Sequence, residues 1–245
     1  MFVKVWMSEN IEEKTTKAFK VDLDSKENQR ILKPSARPSN NQAHQVNEAV
    51  EKIGKLIENA QYFNDDIVLN HNKIKEAFFS PFKPQLRNAQ VFLSHSHADK
   101  NKALKVKNYL EEDLDAECVF IDSLFWDYKD DVLNELEKYD DTSKIKDAFT
   151  LILRESLQDM IKKCPYFVFL QSKNSVSNQG LSRNQDLLKI TYSAWIYEEL
   201  KIAHSISESR PIPMMESMQV FHDISPFLKS FETITLKKLS QQINS

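Results

Sequence analysis

Hydrophobic and polar residues follow two different patterns on either side of residue 90. Near the start, Phe19, Val21 and Leu23 alternate with charged residues, which is typical of a strand. Apolar residues three and four positions apart then predict one helix over 43–62 and a second over 66–79. The first part of the chain therefore reads as a strand-like start followed by two helices.

A segment without apolar periodicity separates the strand-like start from these helices. Residues 33–42 contain two prolines and no large apolar side chain, as in a linker. We predict that residues 1–89 form an N-terminal, mainly helical extension and that residues 90–245 form the main domain.

From residue 90 onward, short apolar runs alternate with helical patterns. Strands are predicted at 91–93, 118–121 and 166–170, with helices between and after them, the last over 194–207. The run at 212–215 carries prolines and is predicted as an edge strand or an irregular segment. This alternation predicts an α/β fold built on an open parallel sheet. In such sheets, ligands bind beyond the carboxyl ends of the strands.

Composition limits the kind of site that the protein can contain. The chain has two glycines, Gly54 and Gly180, where typical usage would give about 17. Loops that cradle phosphate need clustered glycines, so a P-loop, a GxGxxG fingerprint and a kinase-type glycine-rich loop are excluded. A net charge of −3 gives no support for nucleic-acid binding.

The remaining bulk features predict a cytoplasmic protein. No apolar stretch approaches the ~18 residues of a membrane span, and the N-terminus lacks the regions of a signal peptide. Cys118 and Cys164 lie in or beside apolar runs, which favours buried, reduced thiols. No membrane partner is expected.

The first of three chemically capable clusters directly follows the strand at 91–93. It contains Ser94, His95, His97 and Asp99. No second group of ligands accompanies the two histidines, so we predict no metal. The alternative is a helix start with exposed histidines, because Ser96 and Asp99 have the spacing of a capping box.

The second cluster follows the strand at 118–121. Asp122 could bind a ribose, and Trp126 could stack on a base. The alternative is that the aromatic residues of this segment pack beneath a long loop.

The third cluster begins the helix at 194. Ser193 is a candidate N-cap. Trp195 and Glu199 share one helix face, whereas Glu198 is rotated by about 100° from Glu199 around the helix axis. An aromatic plate one turn from a carboxylate suits a cationic aromatic ligand. Core packing of the tryptophan and a solvated face for both glutamates are the alternatives.

In order and spacing, these clusters resemble bacterial TIR (Toll/interleukin-1 receptor) domains. The likeness is strongest to the stand-alone TIR proteins of Thoeris-type anti-phage defence. It is carried by Val91 to Lys100, by Val119 to Ser123 with Trp126 and Tyr128, and by Ser193 to Glu199. It covers residues 90–245 and leaves 1–89 outside.

The resemblance implies a flavodoxin-like sheet and cleavage of NAD at the nicotinamide–ribose bond. The family's catalytic glutamate follows a tryptophan by four positions, which corresponds to Glu199 after Trp195. Relatives often have glycine where this chain has Asp127, which affects the adjoining loop. The predicted substrate-binding residues are Trp195, Phe92, Ser94, His95, Asp122, Ser123 and Trp126.

Cleavage of this bond requires few catalytic groups from the protein. Its cleavage passes through an oxocarbenium-like state, as in glycoside hydrolysis, and nicotinamide leaves as a neutral molecule without protonation. One carboxylate suffices to orient the ribose and stabilise the cation. Water capture gives ADP-ribose, and internal capture gives a cyclic ADP-ribose isomer. NAD is then the substrate, and neither a cofactor nor a metal is needed.

Two further expectations follow from the resemblance. TIR sites often form between subunits, so a homo-oligomer with TIR–TIR contacts is expected, together with a downstream effector reached by a nucleotide signal. The main alternative is a non-catalytic interaction module that acts by self-assembly. A third is another nucleoside-handling enzyme, such as a deoxyribosyltransferase relative.

Overall fold

The computed structural model describes eleven segments of the chain. They are residues 16–32, 46–59, 61–63, 66–68, 70–79, 88–114, 119–121, 132–134, 143–179, 188–207 and 222–244.

These segments contain ten strands and eight α-helices of at least six residues. The strands are β1 Lys17–Asp22, β2 Gln61–Phe63, β3 Asp66–Val68, β4 Val91–Ser94, β5 Val119–Ile121, β6 Tyr166–Gln171, β7 Ser177–Gln179, β8 Leu188–Thr191, β9 His222–Asp223 and β10 Glu232–Thr233. The helices are α1 Lys26–Ile31, α2 Val46–Glu58, α3 His71–Phe79, α4 Lys100–Leu114, α5 Ser143–Lys163, α6 Ala194–Ser207, α7 Ser225–Ser230 and α8 Leu236–Ile243.

The central sheet has five parallel strands in the order β10-β1-β6-β4-β5. The chain passes from β4 to β5 on one side and then returns to β6 on the other side of β4. The strand order therefore reverses between β4 and β6, which is the place where open α/β sheets bind ligands. The predicted α/β fold with a parallel sheet is confirmed, and the architecture is consistent with the flavodoxin-like class.

Strand β1 lies inside this sheet, between β6 and β10. Its six residues pair in register with β6, from Lys17 opposite Tyr166 to Asp22 opposite Gln171. The predicted strand character of this segment is confirmed. The sequence pattern grouped it with the N-terminal extension, because its pairing partners lie far away along the chain. It nevertheless supplies an interior strand of the main sheet.

Helices cover both faces of the sheet. One face packs against α4 and α8, around residues such as Val91 and Leu93. The other face packs against α2, α3, α5, α6 and α7. On that face Phe92 stacks between Phe120 and Phe167, with ring centroids 5.7 Å apart in both pairs. The two predicted helices before residue 90 therefore share a core with the sheet.

The predicted helix over 66–79 is wrong at its start. Residues 66–68 form β3, which pairs antiparallel with β2, and the helix begins at His71. The Asn70 side chain accepts a hydrogen bond of 3.1 Å from the backbone amide of Lys73. This is the contact of an N-cap residue, and it sets the start of the helix.

The helix predicted over 43–62 is α2, which spans Val46–Glu58, and it is wrong at residues 61 and 62, which belong to β2. The helix predicted over 194–207 has the observed bounds of α6. The strands predicted at 91–93, 118–121 and 166–170 are β4, β5 and β6, each within one residue at either end. The linker at 33–42 and the run at 212–215 lie outside the described residues.

Two bulk predictions can be compared with the fold. Cys164 is buried, as predicted, whereas Cys118 lies outside the described residues. Among the helices in the described segments, none has the length and apolar character needed to cross a membrane.

Candidate functional site

A buried hydrogen bond joins the carboxyl end of β4 to helix α6. Ser94 is the last residue of β4, and its Oγ donates to Oε2 of Glu199 at 2.5 Å. Both residues are fully buried. Alternate strand residues face the same side of a sheet, so Ser94 shares with Phe92 the face that α6 covers. The contact lies where the strand order reverses.

The start of α6 determines which of its residues face the sheet. The Ser193 side chain accepts a hydrogen bond of 3.2 Å from the amide of Ile196, so the predicted N-cap is confirmed. The Thr191 hydroxyl in turn accepts from the amide of Ser193 at 3.2 Å. This start places Glu199 on the buried side in the second turn, with the partly exposed Trp195 one turn earlier.

The neighbouring carboxylate, Glu198, belongs to a different set of contacts. Arg154 Nε on α5 donates to Glu198 Oε1 at 2.6 Å, and Lys201 Nζ lies 3.8 Å from Oε2. The Glu198 side chain is 16% exposed. Adjacent glutamates thus differ completely, since Glu198 ties α6 to α5 and Glu199 faces the end of β4.

A second buried carboxylate, Asp99, joins the loop after β4 to the loop after β6. Its carboxylate accepts hydrogen bonds from the Ser172 hydroxyl and from Asn174 Nδ2, the latter at 3.0 Å. Lys102 Nζ lies 3.1 Å away and also 3.6 Å from Asp24, which follows β1. The ends of three neighbouring strands are therefore held together.

The pKa of Asp99 reflects this environment. Burial opposes ionisation of the carboxyl, but hydrogen bonds from Ser172, Lys102 and Asn174 favour the charged form more strongly. The pKa of Asp99 consequently lies below its ordinary value. The cluster holds a carboxylate that is already neutralised by its own lysine.

The structure places the other predicted substrate-binding residues unevenly. Phe92 is fully buried and supports the sheet below Ser94, so it offers no surface of its own. His95 is 3% exposed. Asp122, Ser123 and Trp126 lie outside the described residues.

The alternative interpretation of the first cluster is partly wrong. This interpretation expects both histidines to be exposed, but His97 is exposed and His95 is buried. The Ser96 side chain makes no capping hydrogen bond, although a short 3₁₀ helix does begin at His97. Asp99 is turned instead toward Ser172 and Asn174, which removes it from a capping box.

Sequence reasoning missed Lys20, which lies on β1. Its Nζ donates to the backbone carbonyl of Leu228. Burial lowers the pKa of this lysine, and the nearby charge of Lys189 lowers it further. In the sequence Lys20 alternates with Phe19 and Val21, and that pattern places it on a solvated face. Both faces of this sheet are covered, so the alternation could not reveal its burial.

Two other features of the described segments bear on the choice of site. They contain no group of three or more His, Cys, Asp or Glu side chains that could hold a metal ion. A cavity of about 440 Å³ lies at the opposite, amino edge of the sheet, lined by residues that include Thr16, Phe19, Ser207 and Glu232. Its lining residues do not include Ser94 or Glu199, and position at the strand-order reversal favours the Ser94–Glu199 contact as the candidate site.

Comparisons with protein-family models, curated proteins and solved structures found no match. The likeness to TIR domains therefore depends on the residues of the three clusters themselves.

Proposed function

We propose that the protein is an enzyme that cleaves NAD at the nicotinamide–ribose bond, with Glu199 as its catalytic carboxylate. The observation that carries the proposal is the buried contact between Ser94 Oγ and Glu199 Oε2. It lies at the carboxyl end of a central strand, where the strand order reverses. Glu199 also follows Trp195 by four positions, and this spacing resembles that of the catalytic glutamate in TIR enzymes.

In this proposal the carboxylate acts on the ribose. As the glycosidic bond breaks, positive charge develops on the ribose ring, and a nearby carboxylate stabilises it. Because water is scarce around a buried group, this interaction is stronger than it would be in bulk solvent. The Ser94 hydroxyl orients Glu199, and Trp195 supplies an aromatic face for the nicotinamide ring.

The product depends on which group captures the ribosyl cation. Water gives ADP-ribose, and an acceptor within the same molecule gives a cyclic isomer, so the activity is that of an NAD nucleosidase or an ADP-ribosyl cyclase. We further propose that this reaction serves cytoplasmic anti-phage signalling, with self-association through TIR–TIR contacts and a downstream effector that recognises the product.

Nicotinamide release tests the proposal directly. Purified protein is incubated with NAD under dilute and crowded conditions, and free nicotinamide is followed by chromatography. We expect Glu199→Gln to lower the rate by at least about 100-fold, since it removes the charge that acts in the transition state. Mass spectrometry of the same reaction identifies the product.

Glu198→Gln is the matched control. It makes the same chemical change one residue away, where the carboxylate contacts Arg154 and Lys201, and it should leave the rate close to that of the unmodified protein. Full activity of Glu199→Gln would overturn the catalytic assignment. Absence of nicotinamide release under every condition would favour the non-catalytic assembly module.

A further inference from the structure

Lys20 lies on the same sheet face as the candidate site and at the same level. Ser94 of β4 is opposite Phe169 of β6, and Phe169 is opposite Lys20 of β1. Residues in register on parallel strands point to one side, and Phe169 packs in the core that contains α6. Adjacent strands are about 4.8 Å apart, so the Cα atoms of Ser94 and Lys20 are separated by about 10 Å.

Lys20 and Lys189 approach the same short helix. Lys20 Nζ donates to the carbonyl of Leu228 on α7. The backbone of Lys189 on β8 exchanges hydrogen bonds with the Ser225 side chain, three residues earlier on that helix. The two lysines therefore flank one element that packs beside α6.

In the part of the chain that the structure describes, this pair lacks the acidic partner that partly buried lysines usually have. Within the described segments, neither Lys20 nor Lys189 has a carboxylate in ion-pair contact, whereas Lys75, Lys102, Lys107 and Lys201 each have one. Burial lowers the pKa of Lys20, and repulsion by the nearby charge of Lys189 lowers it further. Placing cations together away from water is costly unless an anion joins them.

We propose that Lys20 and Lys189 form a subsite for the diphosphate of the dinucleotide substrate. That the ligand is the diphosphate of a dinucleotide rests on the proposed function. The preference of the two lysines for a phosphate oxyanion does not. In a dinucleotide the diphosphate is one ribose away from the scissile bond. Lys20 lies two strands from Ser94, and its Nζ is at the Leu228 carbonyl. Charge-assisted hydrogen bonds to phosphate would relieve the repulsion between the two lysines.

A purely structural role for Lys20 leads to a different expectation. The carbonyl of Leu228 is near the carboxyl end of α7, where helix carbonyls lack intrahelical partners and favour a cation. If Lys20 does no more than bind this carbonyl, then Lys189 has no part in ligand binding. The two roles can be separated through Lys189.

Titration calorimetry with inorganic pyrophosphate is the first measurement, because it requires no turnover. We expect Lys189→Gln and Lys20→Met each to weaken pyrophosphate binding about tenfold or more, the loss expected when one charged hydrogen bond is removed. Lys20→Arg keeps the charge and should retain most of the affinity. Lys17→Gln is the control, since Lys17 is exposed at the other end of the same strand and should bind as the unmodified protein does.

Kinetics provide the second measurement. With NAD as substrate, Lys189→Gln should raise KM about tenfold and leave kcat nearly unchanged, because the diphosphate is bound equally in the ground and transition states. With nicotinamide riboside, which has no phosphate, the same substitution should leave kcat/KM unchanged. A merely structural lysine would not distinguish these two substrates.

The outcomes separate this proposal from the proposed function. Lysine-dependent pyrophosphate binding without nicotinamide release would support the subsite and overturn NAD cleavage. Glu199-dependent nicotinamide release with unchanged pyrophosphate affinity and KM in Lys189→Gln would overturn the subsite alone. No pyrophosphate binding by the unmodified protein would overturn it as well. If Lys20→Met fails to fold, Lys189→Gln still decides, because its side chain makes no hydrogen bond in the described structure.

Discussion

Two buried carboxylates lie at the carboxyl edge of the sheet, on opposite faces. Asp99 packs with the α4 side and contacts Lys102, Ser172 and Asn174. Glu199 is on the α6 side and accepts a hydrogen bond from the Ser94 hydroxyl. Both are about 1% exposed or less. Burial therefore does not distinguish a structural carboxylate from a candidate catalytic one, and the partners do.

The partners imply different consequences for stability. Lysine and amide donors neutralise Asp99 and connect the loops that follow three strands. The Ser94 hydroxyl, which carries no charge, donates to Glu199, and in the proposed reaction this carboxylate acts in the transition state. The comparison predicts that substitutions at Asp99 affect stability most, and that those at Glu199 affect activity most.

Asp99→Asn should have the largest effect on stability. It removes the charge that Lys102, Ser172 and Asn174 favour, so we expect the free energy of unfolding to fall by about 2–3 kcal/mol. Urea denaturation followed by circular dichroism measures the change. Glu199→Gln retains an acceptor for Ser94 and should cost less than about 1 kcal/mol. Equal losses for the two variants would end the distinction between the carboxylates.

The stabilising contribution of Asp99 should depend on pH in one direction. Its folded-state pKa is lowered, so the contribution is fully present above the unfolded-state pKa of about 4. It is lost as the pH falls below that value and through the folded-state pKa. Urea midpoints measured between pH 6 and pH 3 should therefore decline less steeply for Asp99→Asn than for the unmodified protein. Parallel curves would mean that Asp99 makes no such contribution.

Ser94→Ala should have a smaller effect on stability and a clear effect on activity. Loss of the hydroxyl removes one buried hydrogen bond to a carboxyl group, and we expect destabilisation of about 1–2 kcal/mol. Nicotinamide release should fall because Glu199 is no longer held. Ser205→Ala is the control, since Ser205 is a buried serine on α6 whose hydroxyl donates to the backbone of Lys201. An equal fall in activity for both variants would assign the effect to α6 as a whole.

Lys102→Ala should have the smallest effect in this series. The Lys102 side chain is 40% exposed, so solvent screens its attraction to Asp99. We expect a loss of about 0.5–1 kcal/mol in urea denaturation. A loss as large as that of Asp99→Asn would show that the ion pair, rather than the hydrogen bonds from Ser172 and Asn174, holds the loops together.

Local sequence patterns predicted which segments form helices and strands better than they predicted which of these elements lie next to each other. The apolar spacing of α6 gave its bounds, because the pattern and the Ser193 cap act within one element. The hairpin of β2 and β3 was missed, since its three-residue strands are too short to produce a periodic signal. The place of β1 in the sheet depends on backbone pairing with β6, which no local pattern contains.

The same distinction applies to the candidate site. Helical geometry predicted that Trp195 and Glu199 share one helix face and that Glu198 is rotated from it. The contact of Glu199 with Ser94 spans 105 residues, and those of Asp99 with Ser172 and Asn174 span 73 and 75. Such contacts arise when strand ends meet. The partial burial of Lys20 could not be predicted for a related reason. Alternation of apolar and polar residues does not distinguish a sheet face in solvent from one that helices cover.

The interior position of β1 has a consequence for how the chain folds during synthesis. The strand β6 that it pairs with is made about 150 residues later, so closing this pair is a long-range step that slows folding. At ordinary translation rates the delay is on the order of 10–30 seconds. Throughout that interval Phe19, Val21 and Leu23 are exposed to other chains and to chaperones. A fragment that begins at residue 90 would have the opposite defect, a sheet with a gap between β6 and β10.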